Sequence, residues 1–170
     1  QMGVPYSEVR LCSGEGPRLR VEVGFDLVLD HDLGALEWAD TIVLPNGGRP
    51  SPAIDYDPEV LVALRTAYAR GARIISFCSG AFPLAATGLL DGRAATTHWT
   101  YTAQFAARHP SIEVQPDVLY AGGDRLYTAA GTASAYCGSH CACATSNSST
   151  ICQTSSGVQI APTSGSCRTA

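Results

Sequence analysis

Arg73-Ile-Ile-Ser-Phe-Cys-Ser-Gly-Ala-Phe-Pro-Leu-Ala-Ala-Thr-Gly88 is the stretch whose reading decides the fold. Residues 74–77 have the character of a buried strand and run straight into Cys78. Small residues then open an apolar helix that Gly88 is placed to end. A strand that turns sharply into a helix at a nucleophile-type residue is a nucleophile elbow. The turn projects the side chain outward, and the helix start supplies unpaired N–H groups and partial positive charge. That environment predicts a lowered pKa and a thiolate at Cys78. Ser79 and Gly80 suit the crowded first turn, and Pro83 falls early enough for its missing N–H to be tolerated. Taken alone, Cys78 reads equally well as a small buried apolar residue. Its surroundings favour the elbow.

Upstream, Thr41-Ile-Val-Leu44 is a short apolar run, the signature of a strand buried on both faces. It ends in Pro45-Asn-Gly-Gly-Arg-Pro50, a loop whose backbone N–H groups can approach a ligand closely. Asp57 and Pro58 then cap and open a helix, Val60, Leu61, Leu64 and Tyr68 keep helical spacing, and Gly71 stops it. Strand, helix, strand implies parallel pairing, with both tight loops at the carboxyl ends of their strands. Asn46, Gly47 and Gly48 are therefore expected to share one crevice with Cys78. Ser79, Gly80 and Thr97 complete the expected ligand-binding set.

Before this centre, residues 8–12 and 19–23 alternate like strands, 25–29 follow as another, and together they suggest a hairpin at the sheet margin. Residues 32–39 suit a short helix capped by Asp32. After the centre, the Thr96-Thr97 pair is short and strand-like, and His98 sits where a helix over 99–108 begins. A histidine at that junction could reach Cys78 and draw the proton from its thiol. The alternative is a ring that merely bonds a backbone carbonyl. His109, before Pro110, reads as a surface helix-stop residue, and His31 as a turn residue. Residues 112–114, 118–120 and 126–128 read as strands, the last two joined through 121–125, and 131–135 as another helix opening.

Composition bounds the function. At 170 residues, 45% hydrophobic and 15% charged, the chain suits one domain with a real core. Net charge is −4 with no basic run, and nothing here points to a nucleic-acid surface on this chain. No apolar run reaches membrane-spanning length and the start lacks a signal-peptide pattern, so a cytoplasmic location is expected. Gln1 precedes a Gly-Val-Pro turn with no strand before it, which reads as a fragment.

Ser76-Phe-Cys-Ser-Gly-Ala-Phe82, Gly88-Leu-Leu-Asp-Gly-Arg-Ala-Ala-Thr-Thr-His-Trp99 and Leu126-Tyr-Thr-Ala-Ala-Gly-Thr132 together resemble the PfpI-like branch of the glutamine amidotransferase-like superfamily. In particular, they resemble the amino-terminal domain of AraC-family transcriptional regulators. The resemblance runs from about residue 6 to 135. It implies a flavodoxin-like α/β three-layer sandwich with a mostly parallel sheet, here lacking the family's first strand and helix. It maps the elbow cysteine onto Cys78, the pocket histidine onto His98, and the oxyanion-side loop onto Asn46, Gly47 and Gly48. Cys78 and His98 are the implied catalytic pair. The implied function is small-molecule sensing by a homodimer that meets DNA only through a domain absent from this chain. The implied alternative is a cysteine-dependent hydrolase or an isonitrile hydratase. Peptidase relatives carry His directly after the nucleophile, where this chain has Ser79. Neither cofactor nor metal is implied.

These readings assign residues 1–136 to the domain and 137–170 to a tail. Five of the seven cysteines crowd that tail, which has no Leu and one charged residue, Arg168. Such a segment cannot bury enough apolar surface to offset chain entropy and is expected to be disordered. Cys137, His140, Cys141 and Cys143 match no strong zinc spacing. Read one nucleotide earlier with G or C at third codon positions, residues 137–148 permit a Leu- and Arg-rich helical string, so a frameshifted tail is expected.

Overall fold

Thr41-Ile-Val-Leu44 and Arg73-Ile-Ile-Ser-Phe77 form adjacent parallel strands, and the rest of the domain is hung on that pair. The computed structural model describes residues 8–20, 24–47, 50, 55–131 and 148–153. Ten strands result: β1 (Glu8–Ser13), β2 (Arg18–Arg20), β3 (Asp26–Val28), β4 (Thr41–Leu44), β5 (Arg73–Phe77), β6 (Ala94–Ala95), β7 (Glu113–Val114), β8 (Tyr120–Gly123), β9 (Leu126–Ala129) and β10 (Ser148–Gln153). The helices are α1 (Pro58–Arg70), α2 (Ala81–Ala86) and α3 (Thr102–Arg108). The main sheet runs β1-β10-β4-β5-β9-β8, parallel throughout except for the β8–β9 hairpin. This is the mixed α/β architecture with a mostly parallel central sheet that the sequence implies. β2 and β3 form the expected marginal hairpin.

Helix α1 forms because its signals agree. Asp57 accepts the Glu59 N–H at 2.8 Å, Pro58 occupies the first turn, and Gly71 adopts φ 118° to close the far end. Val60, Leu64 and Ala67 bury the face that packs on the sheet. Arg70 pins its end by donating to the carbonyls of Leu36 and Ala39, at 3.0 and 2.6 Å. The expected short helix at 33–37 is a 3₁₀ turn whose Gly34 N–H is accepted by Asp32 at 2.8 Å.

The core gathers Ile42 and Leu44 from β4, Ile74 from β5 and Leu126 from β9 with Leu64, Phe82, Leu84 and Phe105 from the helices. Phe82 and Phe105 meet edge to face with centroids 4.9 Å apart, a favoured aromatic geometry.

The structure redraws several expected boundaries. The strand after the elbow is Ala94–Ala95, paired with β7, and the Thr pair follows it, fully buried but outside any strand. The β8–β9 turn is tighter than 121–125: Asp124 and Arg125 make it, both at positive φ, 48° and 67°. That conformation is uncommon for Arg. Arg125 is held there by stacking over Tyr68 at 4.5 Å and donating to the Tyr68 carbonyl at 3.0 Å. His109 does stop α3, but its Nε2 is buried beside Phe82 and Phe105, so it is not a plain surface residue.

Within the expected tail, residues 148–153 alone are described. Residues 148–153 form β10, seated between β1 and β4 and parallel to both. The sequence pattern cannot foresee it, because Ser-Ser-Thr-Ile-Cys-Gln carries no strand signal and its pairing partners are over a hundred residues away. The helix opening expected at 131–135, strand residues 21–23 and the Cys137–His140–Cys141–Cys143 set fall outside the described residues, Gly131 excepted. Among the described residues no helix is long and apolar enough to cross a membrane.

Candidate functional site: the Cys78 elbow

Phe77 is still extended at φ −116°, and Cys78 then takes φ 55°, a left-handed backbone that a non-glycine residue rarely adopts. One 3₁₀ turn, Cys78–Gly80, leads directly into α2. This is the sharp strand-to-helix turn expected from the sequence. The turn fits because Gly80 has no side chain: a Cβ there would lie 2.6 Å from the Pro45 carbonyl oxygen and still closer to that of Leu44. The elbow therefore packs straight onto the carboxyl end of β4.

Ser79 joins the two junctions. Its hydroxyl donates to Asn46 Oδ1 and accepts the Gly47 N–H at 3.0 Å. Cys78 and the loop at residues 45–47 are thus brought together as expected. Gly48 lies outside the described residues. Thr97, fully buried, donates from Oγ1 to the Cys78 carbonyl at 2.8 Å. Thr96 is held in turn, its N–H donating to Thr128 Oγ1 at 2.7 Å. Ser79, Gly80 and Thr97 are consequently buried props of the elbow. Asn46 and Gly47 remain half-exposed. Thr128 is a support that spacing arguments missed; its one sequence signal is its place in Leu126-Tyr-Thr-Ala129.

The electrostatics differ from the expectation at Cys78. Burial pushes its thiol above the ordinary range, and the opposing bond from the Ser79 backbone N–H does not offset it. The elbow offers one 3₁₀ turn and a six-residue helix, and a helix terminus contributes only about 0.3–1 kcal/mol. Desolvation of the half-buried sulfur wins. A thiol, not a thiolate, stands at the site near neutral pH.

His98 lies at the expected strand-to-helix junction, but its ring is already engaged. Nδ1 accepts the Thr100 N–H at 3.3 Å as the cap of the 3₁₀ turn Trp99–Tyr101. The imidazole lies beside Trp99 and Tyr101, with centroids 5.4 and 5.8 Å away. Trp99 itself is 75% exposed, which leaves a flat aromatic surface next to the histidine. The hydrogen bonds of Cys78 and His98 thus run to different partners. A separate cavity of about 230 Å³, lined by Leu90, Arg93, Ala94, Gly122, Gly123 and Leu126, shares no residue with the elbow.

Comparison with known proteins places this geometry. The chain is 30% identical over 124 residues to the HTH-type transcriptional regulator CdhR of Pseudomonas aeruginosa, a match covering 73% of this chain and 36% of that protein. It is 39% identical over 62 residues to an isonitrile hydratase of Pseudomonas putida, covering 36% of this chain and 27% of the enzyme. The crystal structure of an AraC family transcriptional regulator from Pseudomonas putida superposes with a TM-score of 0.59 at 26% identity, covering 73% of this chain and 65% of that one. This chain therefore spans about a third of the regulator CdhR and a smaller share of the hydratase. The DJ-1/PfpI family pattern matches residues 7–142, from before β1 through the elbow to beyond β9, and the chain belongs to the DJ-1/PfpI family.

Proposed function

We propose that this chain is the small-molecule-sensing part of an AraC-type transcriptional regulator, with its ligand seated in the crevice between Cys78 and the Asn46–Gly47 loop. The observation that carries the reading is that, among the described residues, the groups a cysteine hydrolase would draw on have other engagements. The Gly47 N–H, the natural oxyanion donor of the loop, donates to Ser79. His98 Nδ1 accepts a backbone N–H, and the Cys78 thiol is held protonated by burial. Turnover requires a base within reach of the nucleophile and donors aimed at the developing charge. A half-buried thiol beside a half-exposed loop, without a free base at hand, is suited to binding rather than turnover. The regulator relatives support the same reading. A homodimer joined through this domain belongs to the same reading, as does a location in the cytoplasm with the DNA.

The isonitrile hydratase match over 62 residues favours the second reading, a cysteine enzyme. The two separate cleanly. The purified chain is expected to show no turnover of amides, esters or isonitriles. Iodoacetamide is expected to label Cys78 ahead of the fully buried Cys12, but only as pH rises past the ordinary thiol range. Turnover of any of these substrates that disappears in Cys78→Ala would establish the enzyme instead.

A further inference from the structure

The cavity between β6 and the β8–β9 hairpin lies at the opposite end of the sheet from the elbow. Leu90, Arg93 and Ala94 wall it on one side, and Gly122, Gly123 and Leu126 on the other. Leu126 opens β9 and pairs with Ile74 at the start of β5, whereas the Cys78 turn follows Phe77 at the far end of the same ladder. The cavity of about 230 Å³ is smaller than the roughly 300–1,000 Å³ of sites for drug-sized ligands. At about 30 Å³ per water-sized group, it has room for about seven or eight such groups.

Its apolar lining is Leu90 and Leu126, 2% and 1% exposed, with Ala94. Its polar side chain is Arg93, whose Nη2 donates to Asp124 Oδ2 at 3.1 Å and to the Tyr68 hydroxyl at 3.5 Å. Nε and Nη1 of Arg93 have no hydrogen-bond partner among the described residues. Arg125 stacks on the same Tyr68, so two guanidiniums stand against the one carboxylate of Asp124. Asp124 is itself engaged by Tyr68 and Arg93, at 2.8 and 3.1 Å, which offsets the repulsion it exerts on an anion. The glycine wall is open for two different reasons. A Cβ at Gly122 would run into the Leu126 carbonyl oxygen, so the hairpin backbone requires glycine there. Gly123 is not at positive φ, and a Cβ there would meet nothing within 4 Å. The turn does not require glycine at 123; the cavity does.

We propose that this cavity is a second small-molecule site, one that takes an aliphatic carboxylate of about five or six carbons. The carboxylate accepts from the unengaged donors of Arg93, and the chain lies on Leu90, Ala94 and Leu126. A cation would be repelled by the two guanidiniums. A neutral chain would cover Nε and Nη1 without giving them an acceptor, which costs free energy. The site shares its elements with the props of the elbow. Two residues beyond Ala94, the Thr96 N–H donates to the hydroxyl of Thr128, itself two residues beyond Leu126. Thr97 then holds the Cys78 carbonyl. The second site stands independently of whether the crevice senses a ligand or catalyses a reaction.

The test titrates the full chain with hexanoate and follows backbone amide shifts. Saturable one-to-one binding is expected, with a Kd of about 1 mM or tighter for so small a ligand. The shifts should centre on Arg93, Ala94, Gly123 and Leu126 and leave Asn46 and Gly47 unmoved. Hexanol, which lacks the charge, and acetate, which lacks the chain, are each expected to bind about tenfold more weakly or worse. Arg93→Gln should weaken hexanoate by about tenfold or more, and because its ion pair with Asp124 is exposed the fold should hold. Gly123→Leu should abolish binding by filling the cavity, with no loss of thermal stability. Shifts centred on Asn46, Gly47 and Cys78 would place hexanoate in the crevice and overturn the proposal. So would the absence of saturable binding, unchanged affinity in Arg93→Gln, or phosphate binding as tightly as hexanoate, which would mark Arg93 as a surface anion contact only. If Gly123→Leu fails to fold, the comparison of hexanoate with hexanol on the unaltered chain decides the matter alone, and equal affinities refute the site.

Discussion

The two sides of the central sheet are built on different principles. On the β4–β5–β9 side, side chains decide the structure: Ile42, Leu44, Ile74 and Leu126 are all at most 1% exposed and interlock with Phe82, Phe105 and Leu64. On the β1–β10 side, the strand seated between β1 and β4 has a composition that would suit a loop. The comparison teaches that a parallel sheet can be completed by a segment with almost no strand preference of its own, once both its neighbours are in place. The elbow is mounted on the first kind of scaffold, which is why a backbone as strained as φ 55° at Cys78 can persist.

If side chains govern one side, truncating one there should be costly. Phe82→Ala removes a fully buried ring that meets Phe105, Tyr101 and His109 edge to face. It is expected to cost about 3–5 kcal/mol in urea unfolding, the range for large aromatic truncations. A cost below about 1 kcal/mol would mean that the packed side is not packed. Gly80→Ala tests the same scaffold from the opposite direction, by adding a methyl group where the carbonyls of Leu44 and Pro45 stand. Backbone cannot give way as a flexible side chain can, so about 1–3 kcal/mol of destabilisation is expected. The Cys78 alkylation profile should change with it, since the elbow itself must shift.

Ser79→Ala probes the seam between elbow and loop. It removes the hydroxyl that serves Asn46 and Gly47 together. Both loop residues are half-exposed, so water can replace the lost partner and the expected cost is only about 1 kcal/mol. Hydrogen exchange at the Gly47 amide is the sharper measurement. It should accelerate by tenfold or more while the β5 amides remain unchanged.

Much of the packed side is legible in the sequence, because there local chemistry and long-range packing agree. The run 41–44, the Asp57–Pro58 start and Gly71 stop of α1, and the strand into Cys78 all announce themselves. The proximity of Cys78 and the Asn46–Gly47 loop also follows, from the rule that parallel strands present their carboxyl ends together. Orientation does not follow. Ser79, Gly80 and Thr97 lie near Cys78 in space as expected, yet they turn inward as props, because spacing says which residues are close and not which way they face. His98 shows the same limit: its junction is legible, its commitment to the Thr100 N–H is not. β10 escapes, since its pairing partners lie over a hundred residues away in the chain.

The smallest effect is expected at His109, where the packed side touches a titratable group. Its Nε2 is buried without a hydrogen-bond partner among the described residues, against Phe82 and Phe105. Burial lowers its pKa, the neighbouring Arg108 charge lowers it further, and Asp91 opposes both. Asp91 is itself engaged by the Ser111 hydroxyl at 2.6 Å, which limits how far it can turn to a charged imidazole. The sign follows from linkage. The unfolded chain takes up a proton at the ordinary histidine pKa of about 6.5, before the folded chain does, so stability is full above that value. It falls as pH drops from there through the lowered folded pKa. His109→Phe keeps the ring among its aromatic neighbours and removes the titration. At pH 7.5 the variant should unfold at nearly the same denaturant concentration as the parent, because an apolar ring replaces an unpartnered buried nitrogen. Between pH 6.5 and 5 the parent should lose stability relative to the variant. Parallel curves across that interval would show that His109 takes its proton as readily folded as unfolded, and that the aromatic contact around it is open to water.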